Sequence, residues 1–153
     1  MSTAAAGQSR PELSIVRTFD APRELVFRCW TEPEHLNRWC CPKGFTLPHS
    51  EGDGARPGGS FKTCMRAPDG TEYWLAGTYR EVVPPDRLVF SHRWLNDRGE
   101  PEHETVVTVT LEHEDGRTRL MLHQAFFLTE ASREGHRQGW EETLDNLAEY
   151  LAK

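Results

Sequence analysis

The chain has 153 residues, the size of one ordinary domain and enough to bury a real core. Its net charge is −6 with no block of basic residues, which argues against nucleic acid as the main partner, because phosphate backbones are held mostly by Lys and Arg. No apolar run approaches the ~20 residues that span a bilayer, so a membrane helix is excluded as well.

The opening MSTAAAGQSR has no basic stretch followed by an apolar core, so it does not read as a secretory signal. Residues 1–11 read as a disordered tail ahead of a single domain over 12–153. Four cysteines without a signal peptide predict free thiols in a reducing, cytoplasmic setting. Glu12–Phe19 is rich in β-branched and apolar residues and predicts a first strand. Asp20 before Pro22 is a favoured helix start, and Leu25, Val26, Cys29 and Trp30 recur at helical spacing. Thr31 and Glu34 then stand three apart as a capping box, which predicts a second short helix with Leu36 and Trp39 facing inward.

After Pro42 the texture becomes that of strands. Phe45–Gly52 carries Pro48, which suits an edge strand, and Gly52–Gly59 is a turn cluster. Ser60–Arg66 alternates and is followed by a turn at Ala67–Gly70. Thr71–Val83 predicts a long strand with a bulge at Gly77. Arg87–Trp94 places Leu88, Phe90, His92 and Trp94 on one face, and Glu104–His113 does the same for Val107, Val109 and Leu111. Asp115-Gly116 is a strong hairpin signal, leading into a strand with Leu120, Leu122, Gln124 and Phe126 on a common face. From Thr129 to Ala152 the spacing turns helical, with His136, Trp140, Thr143, Leu144, Leu147 and Leu151 as the apolar stripe. Gly135 and Gly139, four apart, leave one stretch of that helix without side-chain bulk. The pattern predicts an α+β fold: a meandering antiparallel sheet of about seven strands, two short helices after the first strand, and a long C-terminal helix covering the sheet.

Several segments recur together in one family: DAPRELVFRCWTEPEHLNRW, GFTL, RPGG, GTYREVVPPDRLVF, GRTRL and HRQGWEETLDNLAEYL. In that order they resemble the SRPBCC or START-like helix-grip superfamily, and within it the AHSA-type branch named after the activator of the heat-shock chaperone ATPase. That branch includes calicheamicin-resistance-like proteins. The resemblance spans about Leu13 to Leu151. It implies a curved sheet gripping the last helix, with an internal cavity for hydrophobic small molecules and roles in stress response or resistance. A heat-shock chaperone is implied as a partner by the branch name, and cyclases, aromatases and hydrolases occur elsewhere in the superfamily. Two departures stand out. Cys40 occupies a position where relatives carry an aromatic, and Gly54 stands where an acidic residue is common.

Site chemistry narrows on the same grounds. Adjacent Cys40 and Cys41 cannot both point readily at one ion, and no C-x₂-C or H-x₃-H pair is present, so neither a metal nor an organic cofactor is expected. The carboxylates of the last helix lie off its apolar stripe and read as a solvated face. RPGG lies between strands, so hairpin geometry explains its glycines better than phosphate binding does. A small-molecule pocket remains. Inward alternation brings Phe61, Thr63, Met65, Phe90, His92 and Trp94 to one side of the sheet, joined by Leu122 and Gln124. Trp140, His136 and the glycine gap face them, with Tyr79 a further polar group and Trp39, Cys40 and Phe45 at the mouth. A few polar groups in an aromatic wall are what an orienting site requires. Were the protein an enzyme, His92 or His136 would be its acid–base groups.

Overall fold

The computed structural model describes residues 10–153. Its first half runs β1 (Leu13–Phe19), α1 (Arg23–Thr31), α2 (Pro33–Leu36), β2 (Thr46–Gly52) and β3 (Ser60–Arg66). Its second half runs β4 (Glu72–Val83), β5 (Arg87–Leu95), β6 (Pro101–Glu114), β7 (Arg117–Ala125) and α3 (Glu130–Leu151). The strands form one antiparallel sheet in the order β1-β7-β6-β5-β4-β3-β2. Strands β2 to β7 are a meander, and β1 adds to its far edge along β7, with Leu13 opposite Gln124 and Phe19 opposite Thr118. This is the expected curved sheet with two short helices and a long C-terminal helix across one face. Of the expected tail, residues 1–9 lie outside the described residues; Pro11 already accepts a hydrogen bond from the Phe127 amide at 3.2 Å. No helix among the described residues is long and apolar enough to cross a membrane.

The core sits towards the β1 edge, and strict alternation puts it there. In β6, Thr105, Val107, Val109 and Leu111 are buried, and in β7 Thr118, Leu120, Leu122 and Gln124 are buried. Val26, Phe27 and Trp30 from α1 and Leu144 and Leu147 from α3 close over them. The hairpin joining β6 to β7 has positive φ at both Asp115 (52°) and Gly116 (82°), the backbone that the Asp-Gly pair favours. Pro48 marks an edge strand as expected: the β2–β3 register shifts between Thr46 and His49, and β2 has no second neighbour.

Four local expectations are corrected. Asp20 does not cap α1; Pro22 stands at the cap, where its carbonyl accepts from Leu25 and Val26. The capping box of Thr31 and Glu34 does not form. Thr31 is still helical, so its hydroxyl donates back to the Phe27 carbonyl at 3.0 Å, and Glu32 starts α2 instead. Phe126 leaves the common face of β7. The strand ends at Ala125, Phe126 takes a φ of 76° with its ring exposed, and Phe127 turns into the core.

The fourth concerns Gly77. The irregularity in β4 lies between Tyr79 and Glu81, not at Gly77. Gly77 is required by close approach: a β-carbon there would lie 2.0 Å from the Ser91 carbonyl oxygen and 2.5 Å from the Phe61 ring. A sheet carbonyl cannot yield by such a distance. Gly77→Ala is therefore expected to destabilise the fold by about 1–3 kcal/mol or more, as overpacking does. Urea denaturation would measure it, and an unchanged midpoint would show that the approach is not tight.

Candidate functional site

The last helix is fixed at one side of the sheet. Arg17 on β1 donates to the Asp145 carboxylate at 2.9 Å and to the Glu141 carbonyl at 3.2 Å, while Arg137 reaches back to the Ser14 carbonyl at 3.3 Å. Towards β3, β4 and β5 the helix stands off, and a cavity of about 1010 Å³ fills the gap. Phe61, Thr63 and Met65 of β3 line it, with Tyr79 of β4 and Phe90, His92 and Trp94 of β5. Their rings support one another: Phe61 lies 5.4 Å from Tyr79 and 5.8 Å from Phe90, and His92 meets Trp94 edge-on at 5.0 Å. Cys40 and Phe45 contribute from the segment before β2, and His136 and Trp140 from α3. Gly135 and Gly139 also face this space. A β-carbon on Gly135 would meet nothing within 4 Å, and one on Gly139 only the Pro42 ring at 4.0 Å.

Three of the residues expected to line the site stand behind its wall. Leu122 is packed into the core. Trp39 is buried beneath Trp30, 4.8 Å away edge-on, because its indole N–H donates to the Cys29 carbonyl at 3.0 Å. The mouth expected between Trp39 and Phe45 therefore has Phe45 and not Trp39. Gln124 is fully buried with its amide committed to protein partners. It accepts from Trp140 Nε1 at 2.8 Å and donates to Thr105 Oγ1 at 2.8 Å, and Thr105 Oγ1 donates to the His92 carbonyl at 3.3 Å. Gln124 holds the wall without opening onto it. Residues missed by the sequence reading include Trp30, Tyr73 and Leu75. Trp30 shares the helical stripe of α1, and Tyr73 and Leu75 share the alternation of Tyr79, so the signal was present in the spacing.

The polar chemistry of the cavity interior is neutral. Trp94 Nε1 donates to His136 Nε2 at 2.9 Å, and the opposite ring nitrogen, Nδ1, lies 2.7 Å from the Ser132 carbonyl. An indole N–H can only donate and a carbonyl can only accept, so His136 carries its proton on Nδ1 and both nitrogens are engaged. Burial holds its pKa below the usual range. His92 is pushed down to about 3, first by burial and then by the neighbouring His136. Burial moves the acids the other way: Cys40 and Tyr79 are each pushed up to about 12. Cys41 is likewise raised by burial, and its Sγ is directed at the Phe45 carbonyl at 3.4 Å. Thiols held protonated are poor nucleophiles and poor metal ligands. Among the described residues no three His, Cys, Asp or Glu side chains cluster as a metal centre requires. The arrangement is suited to enclosing an apolar molecule and orienting it by neutral hydrogen bonds.

The family model described as activator of Hsp90 ATPase homolog 1-like protein matches residues 20–152. The chain belongs to this AHSA1 family. Solved structures agree over nearly the whole length. The AHSA1 protein of Silicibacter pomeroyi is 26% identical, with a TM-score of 0.85 and coverage of 93% of this chain and 98% of that one. A protein of Chromobacterium violaceum is 28% identical, with a TM-score of 0.83 and coverage of 93% and 97%. A third, from Arthrobacter aurescens, is 28% identical at a TM-score of 0.80, covering 92% and 86%. No curated protein matches the chain by sequence. Family membership fits the helix-grip frame, on which the cavity chemistry of this chain is built from its own residues.

His92 generates a pH prediction. Folded, it stays neutral down to about pH 3, whereas unfolded it takes up a proton near its ordinary 6.5. Between those values the unfolded chain binds more protons, so stability is full above about pH 6.5 and declines as pH falls. Lowering the pH from 7.5 to 5.5 is expected to remove about 1 kcal/mol through this group. Urea midpoints at the two pH values should show a loss larger by that amount in the wild type than in His92→Phe, where buried His136 still contributes its own. Equal losses in both would mean that His92 titrates freely in the fold.

Proposed function

We propose that this protein binds a hydrophobic, aromatic small molecule in the cavity between the sheet and α3. One observation carries the reading: an aromatic-walled space of about 1010 Å³ lies where the covering helix presents Gly135 and Gly139 instead of bulk. A helix selected only to seal a core would place Leu there, since glycine in a helix interior costs about 1 kcal/mol relative to alanine. A ligand burying about 200 Å² of ring surface would gain about 5 kcal/mol at about 25 cal/mol per Å². The contacts would come from Phe61, Met65, Phe90, Trp94 and Trp140, with Cys40, Phe45 and Thr63 towards the β2 side. His92, His136 and Tyr79 supply the polar surface. The four free thiols fit a cytoplasmic setting.

Membership of the family supports a ligand-binding or a chaperone-ATPase-related domain. Catalysis by the cavity histidines is the weaker alternative, because His136 has no uncommitted nitrogen and His92, held near 3, is a feeble base at neutral pH. A chaperone partner would be seen as co-purification that surface substitutions disrupt and cavity substitutions do not.

Thermal-shift titration with flat apolar ligands tests the binding reading. At a hundredfold excess over Kd, a true ligand stabilises by about 2.7 kcal/mol, a rise of about 5–10 °C in Tm for a chain of this size. Gly139→Leu should fill the space and abolish that shift while leaving the unliganded fold intact. A saturable shift that survives Gly139→Leu would place the ligand elsewhere and overturn the proposal.

A further inference from the structure

The chain has 18 Lys and Arg residues, yet none of them lines the cavity. The charged residues that do reach it are Glu72 at the start of β4, Asp97 in the β5–β6 turn and Glu102 at the start of β6. All three are exposed, so they form a rim of one sign around an interior without a countercharge. Arg66 neutralises part of Glu72 at 2.6 Å, while Asp97 and Glu102 have no ion-pair partner among the described residues. An anion entering this space passes carboxylates and then loses its hydration with nothing basic to replace it, a cost of several kcal/mol. A neutral ring system meets no such barrier.

Inside, several side chains keep hydrogen-bonding capacity. Trp140, Gln124, Thr105, His136 and the Trp94 indole satisfy one another or the main chain. The Trp30 indole N–H is buried without a partner; the His92 ring and the Tyr79 hydroxyl likewise form no side-chain hydrogen bond among the described residues, and both line the cavity. They share one face of the sheet: Tyr79 lies opposite Phe90, and His92 is two residues further along β5. Diagonal neighbours of this kind have α-carbons about 7–8 Å apart, a span that one hydroxyl-bearing ring can address at either end. Both groups remain uncharged at neutral pH, since burial lowers the one and raises the other.

From this geometry we infer that the cavity selects uncharged aromatic molecules carrying a hydroxyl, with His92 as the orienting partner and the rim of Glu72, Asp97 and Glu102 as a filter against carboxylates. This rests on the ligand-binding reading above and names the ligand class.

Calorimetric or fluorescence titration at pH 7.5 with naphthalene, 2-naphthol and 2-naphthoate tests it. A neutral hydrogen bond should make 2-naphthol bind about three- to tenfold tighter than naphthalene. The uncompensated charge should make 2-naphthoate bind at least about tenfold weaker than 2-naphthol. In His92→Phe the ratio of naphthol to naphthalene affinity should fall to about one. In the exposed pair Asp97→Asn with Glu102→Gln, the penalty on 2-naphthoate should shrink and lose part of its salt dependence. Naphthoate binding as tightly as naphthol, or a naphthol preference that survives His92→Phe, would overturn the selectivity while leaving binding intact. If none of the three probes binds, the ligand-binding reading falls and the inference with it.

Discussion

The cavity depends on the way α3 is held: clamped to one edge of the sheet and bridged, not packed, across the rest. The clamp is ionic and main-chain, from Arg17 and Arg137 to the helix and β1. The bridges are two indole hydrogen bonds, Trp140 to Gln124 and Trp94 to His136. A long aromatic side chain that ends in a single directional donor sets a distance as well as a contact. Packing Leu against Leu would have drawn the helix down until the space closed. The Gln124 relay then carries that constraint through Thr105 to the main chain of His92, so the helix, β7, β6 and β5 are tied in one buried polar line. Each bond contributes only about 1 kcal/mol net, but removing Gln124 would leave two buried partners unpaired at about 1–3 kcal/mol each. Such a line holds only when complete, which suits it to fixing the geometry of a void.

Neutrality is the second consequence of the same burial. One physical cause, the loss of hydration, lowers the histidines and raises the thiols and the phenol, so all converge on their uncharged forms over the physiological range. Reactivity is thereby suppressed: the thiols are not thiolates, and the imidazole with free valence is too weakly basic to take a proton readily. Hydrogen-bonding capacity is kept. On the proposed reading, such a site discriminates by shape and by neutral polarity, with its charged residues confined to the rim.

The fold was legible because its signals are periodic. Alternation in β6 and β7 and the three–four stripe of α3 each follow from which face meets the core, and a hairpin at Asp115-Gly116 follows from backbone sterics. The cavity was partly legible for the same reason, since Phe61, Phe90, His92 and Trp94 lie on faces that alternation fixes. What spacing could not resolve was depth along a face. Leu122 and Gln124 share the inward side with residues that open onto the void, yet they lie under α3 at its clamped side and are sealed. Trp39 was misplaced because its position depends on one hydrogen bond to Cys29 across the α1–α2 junction. At Gly77, spacing alone leaves a bulge and a close approach equally open, because a glycine within a strand signals either. Only the third dimension, with Ser91 and Phe61 against it, separates the two.

Cys40 and Trp30 complete the argument for function. Cys40 is a small side chain of intermediate exposure that lines the cavity. Beside it, the Trp30 indole N–H is buried without a hydrogen-bond partner, in contact with Trp39 on one side and 5.8 Å from Trp140 on the other. An orphaned donor, a histidine forced neutral and two glycines inside a helix are each local departures from what stability alone favours. Independent defects would be scattered through the chain. Here they surround one volume, contributed by α1, β5 and α3 and by the segment before β2, while the other unpartnered buried side-chain donor among the described residues, Arg23 Nε, lies apart from it. Departures that converge on a single space are the pattern expected when the space itself, and not the packing around it, is what the sequence maintains.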